Sequence, residues 1–260
     1  MDAISSGRWQ QLSQPQFDLT LLTHMKRLLP FIIIIVVLGV VIGSVVYMTQ
    51  TKSASNENPN PAQSGPSPKA SPTLGPVKTG VPGADPPHTL GPATAPVKIE
   101  EFGDFECPPC GLFHPILKQM HEEFGDKLHI TFREFPLPNH NHAIPAASAA
   151  EAAGMQGKFW EMHALIFENQ NTWKTSFDAR PTFEGYAKQI GLDVERFKRD
   201  VNSDRVEQRI FLDGKRARSL GVNSTPTVFL NGREVPFQSL PADTLRVLID
   251  NELRAAGTKK

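Results

Sequence analysis

The feature that most constrains this 260-residue chain is its only two cysteines, which lie in the segment Cys107-Pro108-Pro109-Cys110. The residues before Cys107 alternate in the manner of a β-strand, and the residues after Cys110 follow a helical period. Two thiols at this spacing in the first turn of a helix can close a small disulfide, and the positive end of the helix favours a thiolate on the first sulfur. The spacing therefore predicts a redox-active pair at a junction between a strand and a helix.

Two other interpretations of the pair are a structural disulfide and half of a zinc site. A structural disulfide usually closes a long loop, because its stabilising effect grows with loop length, and this disulfide would close a very short loop. A zinc site needs two further ligands, and the sequence has no second Cys-x-x-Cys and no His-x3-5-His pair to supply them. His114, His140 and His142 could supply them only through the tertiary fold. We therefore expect no metal at the cysteines.

The composition divides the chain into four parts. Residues 1–27 are polar and are predicted to form a cytoplasmic tail, and residues 28–48 are uncharged and long enough to span a bilayer as a helix. Residues 49–93 are rich in Pro, Ser and Gly and are predicted to be a linker. Residues 94–260 contain both cysteines and most of the aromatic side chains, and are predicted to form one domain. The 27 basic and 27 acidic residues balance, so charge does not indicate nucleic-acid binding.

The apolar stretch is predicted to be an uncleaved membrane anchor. A cleaved signal peptide is the alternative, but the stretch is long and no small-x-small cleavage site follows it. Lys26 and Arg27 precede the stretch and Lys52 alone follows it closely, so the N-terminus is expected in the cytoplasm and the cysteines on the other side. Gly39 and Gly43 form a Gly-x-x-x-Gly pattern that can pair two anchors in a weak dimer.

The first elements of the outer domain have the order strand, helix, strand. Residues 95–102 alternate, which places the carboxylate of Glu101 on the same face as apolar Val97 and Ile99. A helix is predicted from Cys107 to near Gly125, and a second strand follows at 128–135. A thiol motif at the first strand-helix junction of such a unit is typical of a thioredoxin-type βαβ start.

The remaining pattern is helical and then returns to strands. Residues 143–202 contain several short helical segments and are predicted to be a helical insertion. A long helix ends at Gly221, and residues 227–230 and 234–237 are predicted to form a hairpin around Asn231-Gly232. A last amphipathic helix contains Leu245, Leu248, Ile249 and Leu253 in its apolar stripe.

Four segments of the chain resemble a known family over residues 90–256. They are Glu-Phe-x-Asp-Phe-x-Cys-Pro-x-Cys at 101–110, Gln-Gly-Lys-Phe-Trp-Glu at 156–161, Gly-Leu-Asp at 191–193 and Gly-Val-x-x-Thr-Pro-Thr at 221–227. The chain resembles the DsbA-like thioredoxin-fold oxidoreductases, especially their membrane-anchored bacterial branch. The resemblance implies an α/β thioredoxin fold with an inserted helical subdomain, preceded by one transmembrane helix and a disordered linker.

The resemblance also implies roles for individual residues. It implies that Cys107 is the exposed nucleophile, that Cys110 is the more buried resolving thiol, and that Pro108 and Pro109 belong to the redox motif. Thr225 and Pro226 match the family's cis-proline loop, which packs against the disulfide and binds an extended substrate.

Glu101 matches the family's buried acid beneath the disulfide. A surface glutamate at a strand edge is the alternative interpretation. A buried carboxyl would have a raised pKa suited to proton transfer near neutral pH.

One departure from the family pattern concerns Pro109, because strongly oxidising members have histidine at this position. Proline offers no N–H to a thiolate, and Asp104 and Glu106 add negative charge nearby. Both effects are expected to disfavour the Cys107 thiolate, and a reduction potential in the interval of roughly −270 to −120 mV follows.

The leading hypothesis is a membrane-tethered thiol-disulfide oxidoreductase that forms or exchanges disulfides in exported proteins and needs no cofactor. Its implied partners are exported proteins with thiols and a membrane redox partner, such as a quinone-linked thiol oxidase of the DsbB or vitamin K epoxide reductase type. Its implied place is the bacterial cytoplasmic membrane, with the C-terminal domain outside. The alternative is an extracytoplasmic binding module, a chaperone or a soft-metal carrier, that uses the same cysteines without turnover.

Overall fold

A computed structural model describes residues 73–257. The predicted tail 1–27, the predicted anchor 28–48 with Gly39 and Gly43, and residues 49–72 of the predicted linker lie outside the described residues. None of the helices within 73–257 combines the length and the hydropathy that a membrane span requires.

Apart from the first strand, which lies in the predicted linker, the elements follow the order expected from the sequence. The strands are β1 (His88–Leu90), β2 (Val97–Gly103), β3 (Leu128–Glu134), β4 (Thr227–Leu230) and β5 (Arg233–Val235). The α-helices are α1 (Pro108–Phe124), α2 (Ala143–Gly154), α3 (Phe159–Glu168), α4 (Gln170–Trp173), α5 (Arg180–Gln189), α6 (Val194–Asp200), α7 (Asp204–Ser219) and α8 (Ala242–Gly257). Two short 3-10 segments, Gly125–Lys127 and Phe237–Ser239, follow α1 and β5.

The five strands form one mixed sheet in the order β1-β3-β2-β4-β5. Strands β2 and β3 are parallel and are joined by α1, whereas β1 pairs with β3, β4 with β2, and β5 with β4 in antiparallel fashion. The predicted βαβ start and the α/β fold with a mixed sheet are confirmed. The return strand of the hairpin is shorter than predicted, because Pro236 and a 3-10 turn end it after Val235.

The predicted linker ends too late, because residues 73–93 pack on the domain. The Lys78 N–H donates to the Gly232 carbonyl, and the Ala84 N–H donates to a buried carboxylate on α7, that of Asp213, at 2.7 Å. His88 stacks on the ring of Phe159 at 3.6 Å and lies in β1 at the edge of the sheet. Proline- and glycine-rich composition resembles a linker, but backbone hydrogen bonds and a few buried contacts hold this segment in place.

The predicted helical insertion corresponds to α2–α6. Its helices have local sequence signals: Asp193 caps α6 by accepting from the Arg196 N–H, and Ser203 caps α7 by accepting from the Val206 N–H. Alanines of α2 and aromatic residues of α3 to α6 form a core of their own, which also contains Phe105, Cys107 and Cys110. A second core lies between the sheet, α1 and α8. The cysteines therefore pack against the insertion.

Candidate active site

Cys107 and Cys110 lie at the start of α1, directly after β2. Cys107 is the N-cap residue, and Pro108 and Pro109 occupy the first positions of the helix, where a missing N–H leaves no helical hydrogen bond unmade. The Cys107 carbonyl accepts from the Gly111 N–H at 3.2 Å, which is the first turn of the helix. The two prolines therefore leave the helical hydrogen bonds intact while the sequence places both thiols at the helix N-terminus.

Both thiols are free and both are buried. Cys107 is 5% exposed and Cys110 is fully enclosed. The expectation of an exposed nucleophile therefore holds only in the relative sense that Cys107 is the more accessible sulfur.

The environment of Cys107 favours its thiolate and lowers its pKa to about 6. The largest cause is a hydrogen bond from the Cys110 thiol, and the Thr225 side chain and the Cys110 N–H add to it, whereas burial and the charge of Asp104 act in the opposite direction. The expected effect of Asp104 is confirmed, because its charge disfavours the thiolate, but hydrogen bonds from other residues outweigh it and the net pKa of Cys107 is lowered. The donors come from Cys110 and Thr225 rather than from residue 109, and the Glu106 carboxylate accepts from the His142 N–H instead.

Cys110 has the opposite character. Burial, the hydrogen bond with Cys107 and the charge of Glu101 hold the pKa of the Cys110 thiol well above its ordinary value. The pair therefore combines a thiolate on the accessible sulfur with a protonated thiol on the enclosed one.

Glu101 lies in β2, 2% exposed, with Phe132 of β3 opposite it in the sheet. Burial first, and the charge of Cys107 second, raise the pKa of its carboxyl to about 8. The interpretation of Glu101 as a surface glutamate is therefore wrong. A carboxyl with this pKa is largely protonated at neutral pH and can still release its proton there.

The loop before β4 completes the site. The peptide bond between Thr225 and Pro226 is cis, as the resemblance implied. The Cys107 thiol donates to the Thr225 carbonyl oxygen at 3.3 Å, and the buried Thr225 hydroxyl makes no other hydrogen bond among the described residues, so it is free to donate to the sulfur once Cys107 is a thiolate. The structure thus brings Thr225 against Cys107, with Pro226 buried in the same loop.

Asp104 is buried and joins two loops of the site, a role that the sequence analysis did not predict. Its carboxylate accepts from the Glu106 N–H, the Leu137 N–H and His140 Nδ1, at 2.8, 2.8 and 2.7 Å. It therefore joins the redox loop to the loop after β3. Its place in the Glu-Phe-x-Asp-Phe segment, which carries the resemblance, was the available signal.

Gln170 is a second residue that the sequence analysis missed. It lies in α4 of the insertion, and its amide nitrogen donates to the carbonyls of Phe105 and Cys107 at 2.7 and 2.9 Å. No spacing in the sequence relates position 170 to the cysteines.

An open cleft of about 430 Å³ lies beside the cysteine motif. Pro108, Leu112, His114, Phe167 and Lys174 are among its lining residues, and Leu112 is largely exposed. A larger groove, between α2 and α7, contains neither cysteine and none of the residues described at the cysteine site. Among the described residues, no group of three or more His, Cys, Asp or Glu side chains is arranged to hold a metal ion.

Comparison with known proteins supports this description of the fold. A family model described as thioredoxin matches residues 84–251. The structure of oxidised BdbD from Bacillus subtilis is 23% identical, with a TM-score of 0.60, over 68% of this chain and 98% of that chain. The structure of the thiol-disulfide exchange protein α-DsbA2 from Wolbachia pipientis is 25% identical, with a TM-score of 0.55, over 64% of this chain and 86% of that chain.

Curated relatives with a different name also match. The Na(+)/H(+) antiporter NhaA 1 of Salinispora arenicola is 41% identical over 148 residues, which are 56% of this chain and 22% of the antiporter. The chain thus spans less than a quarter of that relative. An alignment of this length necessarily includes the middle of the chain, which belongs to the segment that the thioredoxin model matches.

Proposed function

The chain belongs to the thioredoxin family, and from this premise we propose that it catalyses thiol-disulfide exchange through Cys107 and Cys110. The observation that carries the proposal is the opposite tuning of the two sulfurs. The pKa of Cys107 is lowered to about 6, and the pKa of the enclosed Cys110 is raised. A structural pair would need no such difference, whereas a nucleophile and a resolving thiol need it.

The proposed oxidation of a substrate begins with a disulfide between Cys107 and Cys110. A substrate thiolate attacks the Cys107 sulfur, the bond between the two protein sulfurs breaks, and its electron pair leaves on Cys110, which takes up a proton. A second substrate thiolate then attacks the substrate sulfur of the mixed disulfide and releases the Cys107 thiolate. The substrate loses two electrons and two protons, and the protein gains both electrons.

Glu101 is the proposed source of the proton that Cys110 takes up. Its carboxyl has a pKa of about 8, and its charge acts on Cys110. A group with a pKa near the working pH can give a proton in one direction of the reaction and take it in the other. Burial of both groups keeps bulk water from replacing it.

The proposed binding site for the substrate chain is the loop at Thr225 and Pro226. Pro226 has no N–H, so hydrogen bonds from a substrate chain at this position would go to backbone carbonyls of the loop. The neighbouring Thr225 carbonyl lies 3.3 Å from the Cys107 sulfur, so an extended substrate held at this loop would lie beside the nucleophile. The cleft beside Pro108 and Leu112 offers apolar surface to the rest of the substrate.

Membrane tethering and exported substrates remain part of the proposal. The uncharged residues 28–48 and the charges that flank them support an anchor with the domain outside the cytoplasm. The antiporter relatives support a place at a membrane, because their names describe membrane transport. We do not extend transport to this chain, since the family model matches a thioredoxin domain in the region where the aligned residues lie. A thiol oxidase of the same membrane is the proposed electron acceptor.

An oxidation assay tests the proposal against the binding-module alternative. The purified full-length chain is mixed with a reduced peptide that contains two cysteines and with oxidised glutathione, and formation of the peptide disulfide is followed with time. We expect multiple turnovers with the parent chain and none with Cys107→Ser. Stoichiometric binding of the peptide by the parent, without any peptide disulfide, would favour the binding module.

A further inference from the structure

The inserted helices contact the backbone on both sides of the nucleophile through one side chain, that of Gln170. It is 5% exposed, and both hydrogen bonds of its amide nitrogen go to the redox loop. One goes to the Phe105 carbonyl at 2.7 Å and the other to the Cys107 carbonyl at 2.9 Å. The amide nitrogen has two hydrogens, so its full capacity as a donor is directed at the loop that carries Cys107.

Gly111 makes this close approach of Gln170 possible. A β-carbon at residue 111 would lie 2.7 Å from Gln170 Oε1 and 3.1 Å from its Cδ, which is too close for either atom. The φ angle of Gly111 lies outside the left-handed region, so space rather than backbone conformation explains the glycine. Its N–H donates to the same Cys107 carbonyl that Gln170 contacts.

The position of Gln170 is itself fixed by the core of the insertion. Trp173, in the same short helix, is fully buried, and its Nε1 donates to the Ile166 carbonyl of α3 at 2.7 Å. The Trp173 ring also packs edge-on against Phe183 of α5. The amide of Gln170 therefore projects from a rigid part of the insertion into the turn that holds Cys107.

Resting on the proposed function, we propose that Gln170 is a positioning residue for disulfide exchange, because it holds the Cys107 backbone so that the sulfur stays beside Thr225 and Cys110. The contacts that favour the Cys107 thiolate come from Cys110 and Thr225, and they depend on where the Cys107 sulfur lies. Donors on the Cys107 carbonyl also offset the negative end of that carbonyl dipole next to the thiolate. Loss of the amide removes both effects, while the sheet that carries Glu101 stays unchanged.

The test replaces Gln170 with methionine, which has similar length and volume but no donor. The matched control is Gln156→Met, because the Gln156 amide also donates to a backbone carbonyl, that of Asp193 at 3.2 Å, but makes no bond to the redox loop. The readouts are the pH dependence of alkylation of the more reactive thiol in the full-length chain and the rate of peptide oxidation. A purely structural role would change neither in a folded protein.

We expect Gln170→Met to shift the alkylation midpoint upward and to slow peptide oxidation at pH ~6 by about fivefold, the fall in thiolate fraction at that pH when the pKa rises by one unit from about 6. Gln156→Met should match the parent in both. A folded Gln170→Met with the midpoint and rate of the parent would overturn the inference. If the parent itself showed no exchange, the proposed function would be wrong instead, so the two failures are distinguishable.

Gly111→Ala provides a second test that does not depend on the stability of Gln170→Met. Alanine favours the helix more than glycine does, so this variant is expected to fold. Its β-carbon would push the Gln170 amide away from the Cys107 carbonyl, and we expect an upward shift of the midpoint in the same direction. A parent-like midpoint in Gly111→Ala, with a parent-like rate, would contradict the proposed positioning.

Discussion

At the scale of single residues, three titratable groups with shifted pKa values explain the proposed chemistry. Cys107 has a lowered pKa, whereas Cys110 and Glu101 have raised values, and burial is the largest cause for the last two. The charged forms of the three groups are all negative and repel one another, so the groups do not all ionise together. One thiolate, one thiol and one protonated carboxyl are therefore the expected state of the reduced site at neutral pH.

Replacement of Glu101 by glutamine tests the buried carboxyl through protein stability. Its folded-state pKa of about 8 lies above the ordinary value of 4.5, so the folded chain keeps a proton that the unfolded chain loses, and stability falls as pH rises between these values. We expect Glu101→Gln to lack this decline and to exceed the parent above pH ~8 by up to about 5 kcal/mol. Denaturant unfolding of both reduced proteins at several pH values measures the difference. Equal pH slopes would show that Glu101 titrates like an exposed glutamate.

Glu101→Gln should also affect the reaction rate. The amide cannot exchange a proton with Cys110, so we expect slower peptide oxidation near neutral pH, by about 10²-fold or more if general acid-base catalysis is lost completely. Parent-like rates between pH ~6 and ~8, the range around the general-base optimum, would contradict the proton role.

The Thr225 hydroxyl is the residue-scale test of the thiolate. Thr225→Val keeps the shape of the side chain but removes a group that lowers the pKa of Cys107. We expect the midpoint of Cys107 alkylation to rise from near pH 6 in the parent. The matched control is Thr227→Val, since the Thr227 hydroxyl donates to the Ser224 carbonyl and not to the sulfur. An unchanged midpoint in Thr225→Val would contradict the contribution of the hydroxyl.

At the scale of elements, we expect the start of α1 to influence the reduction potential of the proposed disulfide. Pro109 contributes no N–H and no charge. The stabilisation of the Cys107 thiolate therefore comes from the helix N-terminus and from the other neighbours of Cys107. Histidine at position 109 would add a donor and a positive charge beside the thiolate. We expect Pro109→His to stabilise the reduced form and raise the reduction potential, by about 30 mV for each tenfold change in the equilibrium with glutathione. An unchanged or lower potential would contradict the account of this position.

Local sequence patterns were sufficient for the elements that position the site. Alternation in residues 95–102 predicted β2 with Glu101 facing inward, and the helical period after Cys107 predicted α1 with its end near Gly125. Sequence patterns failed where a contact depends on distant parts of the chain. The bonds of Gln170 to the redox loop, the bonds of Asp104 to the loop after β3, and the packing of residues 73–93 on the sheet all join segments that no local period relates.

A buried ion pair joins residues 73–93 to the rest of the domain. It lies where strand β1 meets the helices α2 and α7. Glu151 of α2 accepts from Arg209 of α7 at 2.5 Å and contacts His88 of β1 at 2.9 Å. Arg209→Met would leave the Glu151 carboxylate without its main cation, and we expect a loss of about 3 to 5 kcal/mol in the free energy of unfolding. Arg205→Met, one turn away on the same helix at an exposed position, is the control. Equal denaturant midpoints for the two variants would show that the pair contributes little.

At the scale of the whole molecule, the proposed membrane anchor would hold the thioredoxin domain outside the cytoplasm. Lys26 and Arg27 precede the uncharged stretch 28–48, which predicts a cytoplasmic N-terminus and a domain outside. We expect an uncleaved chain in the membrane fraction and digestion of the domain by protease added to intact spheroplasts. A mature chain that begins beyond residue 49, or a domain protected from protease, would contradict this topology.

The central claim, that Cys107 attacks and Cys110 resolves, is tested most directly by trapping mixed disulfides in cells. Acid-quenched cells that produce the full-length chain with Cys110→Ser, or with Cys107→Ser, are compared on non-reducing gels. We predict that Cys110→Ser accumulates mixed disulfides through Cys107, because the resolving thiol is missing, and that Cys107→Ser accumulates few or none. Equal trapping by the two variants would contradict the assignment of the two thiols, and no trapping by either would contradict disulfide exchange itself.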